Sequence, residues 1–211
     1  MPSIAAVELL RNPVFLRLWF VTMISGLSVG STLTTLGWVV VEQSGSPLLV
    51  SLVLVTFLAP QLFAGPIGGV LGDRYGRGRV IRIGISARLL LAIAMAASLF
   101  WLPHELLPLF VINTVRAVTS GATIPSRRAF MADVVPSRQL RTALALDEFA
   151  ITTTFMAGPI ATGFLLLVVE PAVIFLVLAS FSAVGVLLVP TGPSRIQSTA
   201  TGYDATRRSS F

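Results

Sequence analysis

The sequence has no cysteine, no lysine, a single histidine (His104) and few charges of either sign. Without cysteine it can hold neither a disulfide nor a thiolate metal site, and one histidine is too few for a histidine-cluster site. No metal and no cofactor is therefore expected. Charged residues make up 11% of the 211-residue chain and hydrophobic residues 55%; a soluble domain carries roughly 25% charge. All fifteen basic residues are arginine, and the net charge is +6. A nucleic-acid partner would need those cations on one soluble face. They lie instead in short stretches between apolar runs, so the lipid bilayer, with its anionic head groups, is the expected partner.

Six apolar runs stand out: Leu18–Val41, Leu48–Leu71, Ile83–Leu102, Leu106–Ile124, Leu144–Val169 and Ala172–Val189. Each is near the ~20 residues that a membrane-spanning helix needs. The first is too long for a cleavable signal, and no small-residue cleavage site follows it. Thirteen of the fifteen arginines fall on one side of these runs: Arg11 and Arg17; Arg74, Arg77, Arg79 and Arg82; Arg127, Arg128, Arg138 and Arg141; Arg195, Arg207 and Arg208. The opposite connections carry Glu42, His104, Glu105 and Glu170. The positive-inside rule then places both termini in the cytoplasm. Residues 1–17 read as a cytoplasmic lead-in, 18–189 as a six-helix transmembrane bundle, and the Ser/Thr/Arg-rich 190–211 as a disordered cytoplasmic tail that begins a linker.

The densest cluster of glycine and charge lies between the second and third runs, from Gly69 to Arg79. Gly76 and Gly78 are expected to turn the chain with positive φ. Asp73 stands at a helix C-terminus, where an acid opposes the helix dipole and needs a partner from elsewhere. This stretch resembles the loop between helices 2 and 3 of the major facilitator superfamily, whose pattern runs Gly, any residue, Leu, small, Asp, Arg, any residue, Gly, Arg, basic. Gly69, Leu71, Gly72, Asp73, Arg74, Gly76 and Arg77 match it. Gly78 stands where the family has a base, and Arg79 supplies that charge one place later. The Asn12–Trp19 stretch, the Gln43–Pro47 turn and the Pro125–Pro136 loop resemble the enterobactin-exporter-like efflux branch of the same superfamily.

The resemblance implies an all-α membrane protein: six transmembrane helices arranged as two inverted three-helix repeats, half of a major facilitator fold. Ala64-Gly65-Pro66-Ile67 in the second run and Ala157-Gly158-Pro159-Ile160 in the fifth are identical and sit at corresponding places in such repeats. Gly158, Pro159 and Gly163 also match the superfamily's antiporter motif, with Thr154 and Thr162 in place of two of its glycines. Pro159 removes one helix hydrogen bond, which allows either a kink for tight packing or a rocking point. In the family an acid such as Asp133 pairs with the loop arginine, here Arg77, and the acid at Asp73 meets a helix of the opposite half.

Two arginines fall within apolar runs. Arg88 lies about 7–8 Å past Ile83 along a helix, where snorkelling to the cytoplasmic surface would satisfy it. Arg116 lies about 15 Å past Leu106, near the bilayer centre, where a charge faces a cavity or a partner. The superfamily's helix 4 motif contains an arginine linked to proton coupling, so Arg116 is either a substrate- or proton-coupling residue or part of a structural ion pair. Asp147 and Glu148 open the fifth run, where acids suit a helix N-terminus. The small residues of the first run, among them Ser25, Gly26, Ser28 and Gly30, fit close helix packing or a polar cavity. Gly26-Leu27-Ser28 has the look of an intramembrane serine protease nucleophile, but His104 lies in an outer loop, so no enzyme is expected.

Two functions follow. The first is efflux of a small molecule by alternating access across the cell membrane, with this half-length chain pairing with a second six-helix half or with itself. The second is a truncated, non-transporting membrane protein or assembly partner. The first implies a multi-pass protein with a small-molecule substrate and no nucleic acid.

Overall fold

The computed structural model describes residues 8–189. Most of the lead-in, 1–7, and the whole of the expected tail, 190–211, lie outside the described residues. Six long helices follow one another: α1 Pro13–Ser44, α2 Pro47–Tyr75, α3 Arg77–Trp101, α4 Leu106–Val134, α5 Leu140–Leu165 and α6 Pro171–Leu188. A short 3₁₀ turn, Ser137–Gln139, leads into α5.

The helix ends follow from local chemistry. Asn12 caps α1, its Oδ1 accepting from the N–H of Val14 at 3.0 Å and of Phe15 at 3.4 Å, and Pro13 occupies the first turn, where its missing N–H costs nothing. Gly45 ends α1 in the left-handed region, φ 60°, and donates to Val41 O at 2.9 Å. Gly76 alone joins α2 to α3. Its φ of 89° turns the chain, and its N–H closes α2 on Gly72 O at 3.1 Å. Gly78 was expected to turn as well; it is helical, inside the first turn of α3.

The helices outrun the apolar segments at the arginine-rich end. α3 starts at Arg77 and α4 continues to Val134, beyond the expected limits of Ile83 and Ile124. An apolar run marks only the hydrocarbon core, about 30 Å, whereas the backbone stays helical through the head-group region as well. The 32 residues of α1 span about 48 Å. Five helices, all but α5, are long and apolar enough to cross a membrane. α5 falls short because Arg141, Asp147 and Glu148 occupy its first turns and Thr152–Thr154 its middle.

The tightest pairings are α2 with α4, α1 with α5 and α3 with α6. Glycine sets the first two. A Cβ on Gly68 would run into the Ala122 backbone, and one on Gly72 would meet Ser126 Oγ at 2.6 Å. On the other seam, a Cβ on Gly158 would meet Leu27 O and Ser31 N at 2.8 Å, and one on Gly26 or Gly30 would strike α5. Backbones in van der Waals contact are how helices associate where lipid offers no hydrophobic drive. Apolar clusters fill both ends of the bundle. Leu36, Val40, Met95, Leu109 and Phe175 occupy the end away from the arginines; Leu18, Ile81, Ile85 and Phe130 occupy the other. Buried polar side chains lie between them.

Candidate functional site: a cationic interior and an arginine hub at the helix ends

Three hydroxyl residues on α1, spaced three apart, face three buried arginines. Thr22 contacts Arg127, Ser25 Oγ accepts from Arg88 Nη1 at 2.6 Å, and Ser28 takes Arg116 Nη2 on its carbonyl at 3.0 Å and on Oγ at 3.4 Å. All three arginines are at most 5% exposed. Arg127 has a carboxylate: its Nη1 donates to Asp147 Oδ1 at 3.0 Å, and the Thr22 hydroxyl donates to the same oxygen at 2.5 Å. Arg88 and Arg116 have only neutral acceptors. Arg88 Nε and Arg116 Nη1 are buried without a partner, an expensive state for a charged donor.

The arrangement revises three readings of the sequence. Arg88 does not snorkel to the surface: it is 5% exposed and held inward by Ser25. Arg127 is not in a loop but within α4, with 4% exposure. Asp147 does not open a helix; α5 begins seven residues earlier, and Asp147 is 1% exposed inside the bundle. Arg116 is buried in the interior.

A cavity of about 250 Å³ opens beside this ladder, bounded by α1, α2, α3, α4 and α5. Its polar lining includes Ser25, Gln61, Arg88, Ser120, Thr123 and Arg127; Phe57, Ile85 and Ile151 supply apolar wall. Thr152 and Phe155, at its α5 side, are exposed.

A second cluster lies at the α2–α3 junction. Arg77 is its hub. Nη1 donates to Asp133 Oδ1 at 2.6 Å and to Ala129 O at 3.1 Å, while Nη2 donates to Asp73 Oδ1 at 3.1 Å. One guanidinium thus ties the end of α2 and the start of α3 to the end of α4. Asp73 remains open, its side chain 71% exposed, against 31% for Arg77 and for Asp133. Arg74 takes no part in this cluster; its guanidinium sits 5.6 Å from the Tyr75 ring. Gly69 and Gly163 have nothing within 4 Å of an added Cβ, so nothing among the described residues requires glycine there. Gly158 and Pro159 instead lie in the α1–α5 seam, Pro159 packing against Gly30.

Thr22, Arg127 and Asp147 are the interior residues that reasoning from sequence passed over, whereas Ser25 and Ser28 were among the small residues expected to pack closely or to line a polar cavity. Two signals could have found them. The hydroxyls recur every three residues along one side of α1. Arg127 and Arg128 each pair with the acid 20 positions on, Asp147 and Glu148, one pair inside and one outside.

A bundle of long apolar helices whose arginines, among the described residues, are confined to the interior and one end defines a multi-pass membrane protein. The family model described as Major Facilitator Superfamily matches residues 18–205, and the chain belongs to that superfamily, whose members are transporters and not enzymes. It is 29% identical over 142 residues to Multidrug resistance protein 1 of Bacillus subtilis, 67% of this chain and 35% of the relative. It is 26% identical over 154 residues to the Staphyloferrin A transporter of Staphylococcus aureus, 72% of this chain and 39% of the relative. With Quinolone resistance protein NorA of Staphylococcus aureus it shares 26% over 114 residues, 54% of this chain and 28% of the relative. The chain thus spans about a third of the length of these curated relatives.

Proposed function

We propose that the chain is one six-helix half of a secondary transporter that exports small amphipathic molecules across the cell membrane by alternating access, in the manner of the enterobactin-exporter-like branch. The observation that carries this is the half-open cavity among five helices, with buried arginines on its wall. Ordinary helix packing gives no reason to bury guanidiniums without carboxylates; a transport path does. The names of two relatives, for multidrug and quinolone resistance, support the outward direction.

The pairing of helices supports inverted repeats. A two-fold axis exchanging α1 with α4, α2 with α5 and α3 with α6 converts the α1–α5 seam into the α4–α2 seam and leaves α3–α6 unchanged. In this reading α5 spans the membrane despite its polar turns, because Asp147 is matched internally. Residues 18–189 form the six-span bundle, and 1–17 and 190–211 are cytoplasmic, as the arginine asymmetry requires.

The partner is a second six-helix half, or a second copy. Two features support it. α2 carries large exposed apolar residues along its length, with Leu62 at 77% and Phe63 at 75%. Gly65 and Gly69, one turn apart on that helix, and Gly163 on α5 have open space where a Cβ would stand, room for another helix to approach. The Gly69–Arg77 stretch, the end of α2 and the start of α3, then acts with Asp133 as the gate between halves, its exposed Asp73 directed at the partner, and Gly158 and Pro159 act as the rocking seam. Arg116, with one donor free, is assigned the coupling of substrate or proton.

Reconstitution of the purified chain in proteoliposomes, with oligomeric state measured in parallel, tests the reading. Substrate flux from a dimer, or only with a second six-helix chain, is expected. Flux from a demonstrated monomer overturns the half-transporter reading, and no flux in any assembly favours a non-transporting assembly partner.

A further inference from the structure

We infer that the cavity beside the α1 ladder recognises an anionic group, of carboxylate class, on a small molecule with an apolar body. This rests on the transporter reading above and deepens it by naming the charge of the substrate.

The argument starts from charge. Among the described residues the interior buries three guanidiniums, Arg88, Arg116 and Arg127, and one carboxylate, Asp147. Asp147 is committed to Arg127 and Thr22. Arg88, which lines the cavity, has a single partner, the Ser25 hydroxyl. That hydroxyl already donates to Val21 O at 2.7 Å, so it serves Arg88 as a neutral acceptor and no more.

Unused donors give the second, independent observation. Arg88 Nε has no partner, and neither does Ser120 Oγ, although the two residues are 5% and 4% exposed. Both line the same cavity, one from α3 and one from α4. A carboxylate offers what this pair lacks: two acceptor oxygens and a negative charge. A cation in the same place would face like charge from Arg88 and Arg127. Phe57, Ile85 and Ile151 fit an apolar body beside the acid. The volume of about 250 Å³ is below that of enclosed sites for drug-sized ligands, about 300–1,000 Å³, as one wall of a shared site would be.

The test uses three probes that share one naphthyl body and differ in charge, 2-naphthoate, 2-naphthalenemethanol and 2-naphthylmethylammonium. Each is titrated calorimetrically into the full chain in phosphatidylcholine nanodiscs, with empty nanodiscs subtracted. Zwitterionic lipid removes head groups that would compete as anions. The naphthoate should bind at least about tenfold more tightly than the ammonium probe, the worth of one charge-assisted hydrogen bond. Arg88→Gln should remove that preference while binding of the alcohol changes less than about twofold, which also reports an intact cavity. Ser120→Ala, which leaves the charge in place, should weaken naphthoate alone and by less. Equal or tighter binding of the ammonium probe overturns the inference. So does an Arg88→Gln protein that still binds the alcohol and still prefers naphthoate, and so does failure to bind naphthoate at all. Flux of the same probes in proteoliposomes separates the two proposals. Selective naphthoate binding without flux in any assembly overturns transport and leaves the anion site standing. Flux that favours the ammonium probe overturns the anion site and leaves transport standing.

Discussion

The α1–α5 and α2–α4 seams are built alike and finished differently. Each brings two backbones together over glycine, Gly26, Gly30 and Gly158 in one, Gly68, Gly72 and Gly121 in the other. The α1–α5 seam runs into a buried ion pair, since Asp147 on α5 meets Thr22 on α1 and Arg127, whose side chains are 5% exposed for Arg127 and 2% for Asp147. The α2–α4 seam runs out to the half-exposed Arg77–Asp133 pair. The same packing therefore fixes one charge pair in the core and offers another at the rim. A core pair cannot exchange partners without exposing a bare charge to hydrocarbon, whereas a rim pair is held by little and can be broken by a competing charge. A moving gate fits the second, and a rigid pivot fits the first.

The largest expected effect comes from breaking the core pair. Asp147→Ala leaves Arg127 buried with only Thr22, and should cost about 3–5 kcal/mol. The measurement is thermal or denaturant unfolding in detergent, or the yield of folded chain where the loss exceeds total stability. The double variant Arg127→Gln with Asp147→Asn should recover most of that loss, because neither residue then carries charge. A single variant as stable as the parent would mean that water reaches Arg127 and that the two pairs do not differ in kind.

The seams themselves should respond alike. Gly68→Ala and Gly158→Ala each drive a methyl into the backbone of a facing helix and should cost about 1–3 kcal/mol, toward the upper end because backbone yields less than a side chain. Gly69→Ala and Gly163→Ala, one residue and five residues away in sequence, meet open space and should leave the isolated chain no less stable, with a gain of up to about 1 kcal/mol from helix propensity. If these two open positions serve a partner helix, their alanine variants should weaken assembly instead, read by sedimentation in detergent. Destabilisation of the isolated chain by Gly69→Ala would contradict the placement of that face.

Most of the architecture was legible in the sequence, because a bilayer restricts a spanning chain to helices and leaves apolar length as a direct signal. Gly69–Arg79 carried the family resemblance, and the Arg77–Asp133 contact follows its pattern. The interior was harder to read. Arg127, Arg88 and Asp147 each lie near an arginine-rich connection, so hydropathy assigned them to the surface. Depth depends on where a helix ends, and helices that run on past their apolar stretch carry such residues inward or sideways. What fixed them was the facing hydroxyl on α1, a contact 63 to 125 positions distant in sequence. Gly78 shows the same limit at short range. Two glycines were available to turn the chain, and Gly76 sufficed because one residue of positive φ closes α2 and opens α3.

The smallest stability effect, and the most telling, belongs to the rim. Asp133→Asn removes one charge from the Arg77 hub but leaves Arg77 able to donate to Ala129 O and to pair with Asp73. Exposed pairs contribute about 0.2–1 kcal/mol, and salt screens them. Unfolding of the variant should therefore fall by no more than that, and the difference should shrink further in 1 M salt. The more exposed Arg128–Glu148 pair, with side chains 54% and 61% exposed, serves as the control. Glu148→Gln should have a stability effect as small and no effect on assembly. If the Arg77 hub gates the path between halves, Asp133→Asn should depart from that control in one respect. It should change transport, or affinity for a second half, out of proportion to its stability cost. An Asp133→Asn chain that matches Glu148→Gln in stability, assembly and flux would reduce the hub to a surface ion pair, and the contrast between the seams would then be one of burial alone.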